Sequence, residues 1–256
     1  MDFKNILLEK KDGVGKVIIN RPPLNILDIP SIEEMIQALA KLGTDDEVKV
    51  VVVTASGNKA FSAGVEVADH LGDKVYRMVE VFSQLFISLV EVDKPTIAVV
   101  NGVALGGGCE LVAGCDMAVA SETAKLGQPE IKLGGLAPAA AGLLSRITGE
   151  KRAFEIVLLG ENMTAAEAER IGLVNRVVPE EELDSTAEGL ARKFLDSSPL
   201  SIKLVRDAFY QCADAAGFDE AMQEATELGI KTWETEDGQE GLNSFLEKRP
   251  PVWRNR

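Results

Sequence analysis

Val99 to Cys115 reads VVNGVALGGGCELVAGC, an apolar run followed by three consecutive glycines and a short segment carrying Glu110. The apolar run has the composition of a buried strand. The glycines let the backbone approach a ligand closely, and a helix starting there leaves N–H groups unpaired and pointing outward. A strand-to-helix joint of this kind can receive an anion or a developing oxyanion. The same residues also fit a plain tight turn in which Glu110 complements the helix dipole, and local spacing leaves both readings open. Gly102, Gly106, Gly107 and Gly108 do not make a G-x-G-x-x-G fingerprint, and no Lys-Ser/Thr pair follows them as a Walker A loop requires.

On the N-terminal side, extended and helical patterns alternate. Gly15–Asn20 reads as a strand ended by Arg21-Pro22-Pro23, and Ser31–Leu42 places Ile32, Met35, Ile36, Leu39 and Leu42 on one helical face. Val48–Thr54 is a buried strand, Val75–Val92 a long helix, and Pro95–Asn101 another apolar strand. Past the glycines come a short helix from Cys109 to Gly114 and a strand from Asp116 to Ala120. This alternation predicts an α/β layer with crossover connections. Beyond Glu150 the patterns are helical: Lys151–Leu159, Thr164–Ile171, Glu181–Asp196, Ser201–Ala215 and Phe218–Glu234. Thr164 and Glu167 have capping-box spacing. No Pro/Ser linker interrupts the chain, so residues 1–195 are expected to form an α/β core and 196–256 a helical C-terminal subdomain. No repeat is evident in the residues themselves.

The 256 residues suffice for a large buried core. Their 27 basic against 41 acidic side chains give a formal charge of −14, which disfavours nucleic acid and anionic membranes as partners. Capture of a phosphorylated small molecule remains open, through local cations and helix N-termini. Met1–Lys11 lacks the basic, apolar and small-residue succession of a leader, and a cytoplasmic location is expected. Cys109, Cys115 and Cys212 are expected as reduced, mostly buried thiols.

Two further stretches bear on chemistry. Lys59–His70, KAFSAGVEVADH, turns through Gly64 and offers the N–H of Val65 toward the acceptor that Gly107 addresses; in isolation it also reads as a surface loop. In Leu126–Leu133, LGQPEIKL, Glu130 is either a first-turn helix charge or, paired with Glu110, half of an acid/base couple. His70 is the only histidine and no G-x-S-x-G elbow is present, which weakens nucleophilic triads. Cys109 as a thiolate nucleophile is a minor alternative. One His and scattered Cys give no metal-ligand spacing.

The segments KAFSAGVEVADH, NGVALGGGCEL and LGQPEIKLG, in that order, resemble the signature blocks of the enoyl-CoA hydratase/isomerase (crotonase) superfamily. The resemblance runs from about Ile6 to the terminal FLEKRPPVW. It implies a crotonase-like spiral of β-β-α units with a helical C-terminal trimerisation region, assembled as a homotrimer or a homohexamer of paired trimers. It implies an oxyanion hole at Val65 and Gly107, catalytic carboxylates at Glu110 and Glu130, and substrate contacts at Ala63 and Gly64. Phe245 and Lys248 fall in the tail block through which a neighbouring subunit touches CoA in this family. The substrate implied is an acyl-CoA thioester, with CoA as part of the substrate and no metal or redox cofactor. Both carboxylates present favours water addition over double-bond isomerisation.

The chain departs from the family's straight-chain hydratases after Glu130, where Gly134–Ile147 reads GGLAPAAAGLLSRI in place of a P-G-A-G-G-T-like pattern. With RPPLNILD at Arg21–Asp28 and GVEVADH at Gly64–His70, this resembles the cyclohexa-1,5-diene-1-carbonyl-CoA hydratases of anaerobic aromatic degradation. The small side chains of Ala137 and Ala139, with Ala140 and Ala141 beyond them, are expected to make room for a ring in the acyl pocket. The plainer reading is that these alanines favour a helix start. A short-chain enoyl-CoA hydratase, an enoyl-CoA isomerase and a non-catalytic CoA-binding scaffold are the alternatives.

Overall fold

The computed structural model describes residues 3–256; Met1 and Asp2, part of the opening segment read above, lie outside it. Strands β1 (Ile6–Lys11) and β2 (Val14–Ile19) form an antiparallel hairpin. Its two-residue turn, Asp12-Gly13, has φ of 49° and 81°, the left-handed pair that matches the twist of the flanking strands. Helix α1 (Ile29–Gly43) begins with a reciprocal cap in which Asp28 accepts from Ser31 N at 3.0 Å and Ser31 Oγ accepts from Asp28 N at 2.8 Å. Its buried face carries Ile32, Met35, Ala38, Leu39 and Leu42, with Ile36 half-buried beside them.

Three successive strand-strand-helix units follow. The first is β3 (Val50–Ala55), β4 (Ala60–Ser62) and α2 (Lys74–Glu91). The second is β5 (Thr96–Val100), β6 (Val103–Leu105) and α3 (Gly107–Gly114). The third is β7 (Met117–Ser121), β8 (Lys125–Gly127) and α4 (Pro138–Thr148). After them come α5 (Glu150–Leu159), β9 (Asn162–Thr164), α6 (Ala165–Arg170) and β10 (Arg176–Val178). The first strand of each unit enters a six-stranded sheet of order β1-β2-β3-β5-β7-β10, and the second enters a four-stranded sheet of order β4-β6-β8-β9. Pairing is parallel except at β1–β2 and β8–β9. The β-β-α spiral implied by the resemblance is therefore present, as a repeat of structure rather than of residues.

Alternate residues of the six-stranded sheet face opposite ways. Val51, Val53, Ala98 and Val100 join Met35, Leu39, Phe82, Leu85 and Leu89 in the main core. Val50, Val52, Ile97, Val99 and Val119 face α7 (Leu183–Leu195), against its Leu183, Ala187, Leu190 and Ala191. Burial on both faces explains the unbroken apolar runs read in the sequence.

The remaining helices are α8 (Pro199–Asp214), α9 (Phe218–Glu234) and α10 (Glu236–Glu247). A partly buried ion pair ties α8 to the sheet: Asp116 Oδ2 accepts from Arg206 Nε at 2.9 Å and from Thr96 N at 2.7 Å, and its Oδ1 accepts from Tyr210 Oη at 2.8 Å. At the other end of α8, buried Asp237 accepts from Ser198 Oγ at 2.6 Å and from the N–H groups of Arg254 and Asn255 at 2.7 and 3.0 Å, which folds the C-terminal tail back.

The structure corrects several expectations. α3 starts at Gly107 rather than Cys109, because Gly106 alone makes the turn at φ +53°. Strands β1, β4, β6, β8, β9 and β10 and helix α10 lie outside the sequence reading; all of these strands except β1 are three residues each, too short to show a period. Thr164 does cap α6, accepting from Glu167 N at 3.2 Å.

Candidate active site

β4, β6 and β8 lie side by side and parallel, so the residues just past their carboxyl ends are neighbours. Those residues are Ala63-Gly64-Val65, Gly106-Gly107 with the first turn of α3, and Gln128-Pro129-Glu130. The three stretches singled out in the sequence are thus the same corner of three consecutive units.

At the first corner, residues 63–66 pair with the segment before α1. Ala63 N donates to Leu24 O at 2.9 Å, Leu27 N to Gly64 O at 2.9 Å, and Glu66 N to Leu27 O at 2.7 Å. Leu27 spends both its backbone groups on Gly64 and Glu66, so in this parallel bridge the N–H of Val65 points away from it. That direction is toward the second corner. A Cβ built on Gly64 would lie 3.7 Å from Gly107 N, and one built on Gly107 would lie 2.7 Å from Val65 Cγ2. Gly107 is the first residue of α3, where helical geometry leaves the N–H without an internal partner. Among the described residues, neither N–H donates to a protein acceptor.

Glu110 sits in the first turn of α3 and is only 2% exposed. Its Oε1 accepts from Ala140 N, at the start of α4, at 2.8 Å. Burial pushes its carboxyl group up to about 7; the N–H groups of Ala140 and Ala139 oppose the rise, and the charge of Glu130 adds to it. Glu130 lies in the 3-10 turn Pro129–Leu133, half-buried, and burial raises it as well. Its carboxylate rests against Gly106: a Cβ there would come within 2.7 Å of Oε1. The structure therefore brings Glu110, Glu130, Val65 and Gly107 around one spot.

Sequence reasoning missed Gln128. Fully buried beside Glu130, it has its amide nitrogen 3.3 and 3.1 Å from the two carboxylate oxygens when the amide is oriented to donate, the orientation that avoids facing acceptor to acceptor. A polar residue just before Pro129 and two positions from a candidate acid was the available signal.

The other expected residues fall as follows. Ala63 is half-buried, Gly64 is buried at φ +108°, Ala137 is buried as the residue capping α4, and Ala139 is half-buried in the first turn of that helix. Phe245, 82% exposed, lies on α10 and Lys248 just past it at φ +56°. α10 packs on α9 and α8, whereas α3 packs on β4–β7, α2 and α4, so one chain does not bring the tail pair together with the glutamates. Cys109 is fully buried and its thiol is pushed up to about 12 by burial, which overturns the thiolate alternative. His70 is exposed and ends a 3-10 turn, Val67–His70. Among the described residues no helix is long and apolar enough to cross a membrane.

The sequence profile of the enoyl-CoA hydratase/isomerase family matches residues 9–256. A short-chain-enoyl-CoA hydratase from Clostridium acetobutylicum is 37% identical, over 97% of this chain and 97% of that protein. A crotonyl-CoA hydratase from Syntrophomonas wolfei is 36% identical, again over 97% of each. Among solved structures, Pseudomonas aeruginosa DspI superposes with a TM-score of 0.94 at 33% identity, covering 99% of this chain and 98% of that one. An enoyl-CoA hydratase from Bacillus anthracis gives 0.93 at 30% identity, covering 99% and 100%. With the spiral fold and the three corners in place, the chain belongs to the enoyl-CoA hydratase/isomerase family.

Proposed function

We propose that the protein is a hydro-lyase that reversibly adds water across the conjugated double bond of an acyl-CoA thioester. The observation that carries this reading is the placement of two carboxyl groups, both raised by burial, beside two outward N–H groups. In the proposed reaction the thioester oxygen accepts from Val65 N and Gly107 N as enolate charge develops, and each such donor lowers the barrier by about 3 kcal/mol. Glu110 and Glu130 hold a water between them; one takes its proton as oxygen attacks the β carbon, and the other supplies a proton to carbon. A carboxyl group near 7 is suited to exchanging a proton at neutral pH. CoA is part of the substrate, and no further cofactor enters.

Turnover of an enoyl-CoA in water enriched in heavy oxygen tests the reaction class. One labelled oxygen in the product supports hydration; an isomerised, unlabelled product would favour proton shuttling instead.

For the acyl group, we infer a cyclic dienoyl thioester, cyclohexa-1,5-diene-1-carbonyl-CoA, giving 6-hydroxycyclohex-1-ene-1-carbonyl-CoA. Its support is the row of methyl side chains at Ala137, Ala139 and Ala140, at the helix start that touches Glu110. A second reading, a short linear enoyl group, is favoured by the relatives named as short-chain and crotonyl-CoA hydratases. The ratio of kcat/KM for the cyclic dienoyl and crotonyl thioesters decides between them.

We also propose assembly as a homotrimer or a pair of trimers, in which Phe245 and Lys248 of one subunit reach the CoA of the next. Large apolar side chains left exposed on α8–α10, among them Phe209, Phe218, Ile230, Trp233 and Phe245, are consistent with this. Light scattering on the eluted protein reads the subunit number directly.

A further inference from the structure

Among the described residues, four α-helices begin at a side chain that accepts from the N–H three positions on. Asp28 accepts from Ser31 at α1, Thr164 from Glu167 at α6, Ser198 from Ser201 at α8 and Thr235 from Gly238 at α10, all at 2.9 to 3.2 Å. Helices α2, α5, α7 and α9 lack such a cap but start at exposed residues, Asp73, Gly149, Glu182 and Gly217, where water can serve instead. α4 does neither. The residue before it, Ala137, is 1% exposed and has no acceptor in its side chain. Pro138 has no N–H, and the helical ladder opens with Ala141 N donating to Ala137 O at 3.1 Å. The free N–H groups of this buried end are therefore those of Ala139 and Ala140. That of Ala140 donates to Glu110 Oε1 at 2.8 Å, and that of Ala139 faces the same carboxylate. Glu110, from α3, thus occupies at α4 the place that Ser198 fills at the Ser198-Pro199 start of α8.

We propose that Ala137 is a positioning residue: by bringing no acceptor to the start of α4, it leaves that helix end to Glu110 and so fixes the carboxylate where the reaction uses it. The consequence for catalysis rests on the hydratase reading, whereas the capping does not. A hydroxyl at position 137 would compete for the Ala140 N–H, as Ser198 takes the N–H of Ser201 beyond its own proline. The carboxylate would then lose a donor that favours its charged form and a contact that holds its rotamer. Ala is a poor cap in general, and the buried acid makes that poverty useful here. The other charges about Glu110 do not change with residue 137. Glu130 acts on it from the third corner, and the Cys109 thiol beside it is pushed up to about 12 by burial. Strands β4 to β7 carry no charged side chain. Lys74, Arg77, Glu80 and Glu91 of α2 and Arg146 of α4 are exposed.

Ala137→Ser rebuilds the start of α8 at α4. In pH profiles of kcat with an enoyl-CoA, the limb carried by Glu110 is expected to move upward by about one pH unit. Ala137→Cys adds similar bulk with a weak acceptor, and the limb stays at its wild-type position whatever happens to KM. A limb that stays in place or moves down in Ala137→Ser, or an equal shift in Ala137→Cys, overturns the inference. Amide hydrogen exchange reads the capping without turnover. Exchange at Ala140 quickens about 10-fold or more in Glu110→Ala and is slowed again when Ala137→Ser is added to that variant. Exchange indifferent to the loss of Glu110, or not slowed by the added hydroxyl, also overturns it. Absence of hydration with every thioester removes the hydratase reading alone, and the exchange at Ala140 still decides whether Ala137 leaves that end of α4 to Glu110.

Discussion

The N–H of Ala140 donates to Oε1 of Glu110 at 2.8 Å, so the positive end of α4 is spent on a carboxyl group that the core has almost sealed from water. Even so, burial outweighs that donation and the carboxyl group titrates near 7. The charge on Glu110 is thus a cost to folding that the fold tolerates.

The cost has a pH signature. A carboxyl group raised from 4.5 to about 7 binds its proton more tightly folded than unfolded, so its contribution to stability is lost as pH rises through that window. Above it the ionised group costs about 3 kcal/mol. Glu110→Gln is expected to be more stable than wild type in urea titrations at pH 8 and no more stable at pH 4. In the proposed reaction the same change lowers kcat by about 100-fold or more while ligand binding persists.

Gly106→Ala is expected to damage the site without unfolding the chain. The φ of +53° disfavours any side chain, and the added methyl would press within 2.7 Å of Glu130 Oε1. Displacement of one carboxylate should lower kcat at least 10-fold with little change in KM, measured at saturating thioester.

Gln128→Leu removes the amide that faces both Glu130 oxygens in an otherwise buried setting. The carboxylate then loses its donor, and its ionised form becomes less favourable. The pH limb carried by Glu130 should move upward and kcat should fall, whereas Gln128→Glu would place a second carboxylate there and raise that limb further.

Arg206→Met removes the buried guanidinium and leaves the partly exposed carboxylate of Asp116 with Thr96 and Tyr210 as its remaining partners. Loss of a hydrogen bond to a charged group costs about 1.5–3 kcal/mol, which urea denaturation would register as a drop in midpoint. The double variant Arg206→Met with Asp116→Asn should recover part of the loss, because no unpaired charge remains.

Much of this architecture was legible where burial imposes a period. Val48–Thr54 and Pro95–Asn101 announced themselves because both faces of their sheet are covered, and Ser31–Leu42 because only one side of its helix is. β4, β6 and β8 did not, since three residues cannot show an alternation. β1 was overlooked although Asp12-Gly13 is a strong hairpin signal, because Leu7 and the charged residues after it leave that edge strand without an apolar run. At the site, Glu110 and Glu130 were singled out from glycine and proline punctuation. Gln128 carries no such punctuation, because an amide becomes conspicuous only once it is seen to be buried against a carboxylate.

The three corners differ in what they lend to the proposed chemistry. The first gives only a backbone N–H at Val65, the second a backbone N–H at Gly107 together with the side chain of Glu110, and the third only the side chain of Glu130. Variation is therefore cheapest at the first corner, where the side chain of Val65 can change while the amide stays put, and least tolerated at the second, where main chain and side chain are both committed. A lineage diverging to new acyl groups has its freedom in the loop from Val65 to Leu71 and in the turn before α4, and almost none along Gly106–Glu110.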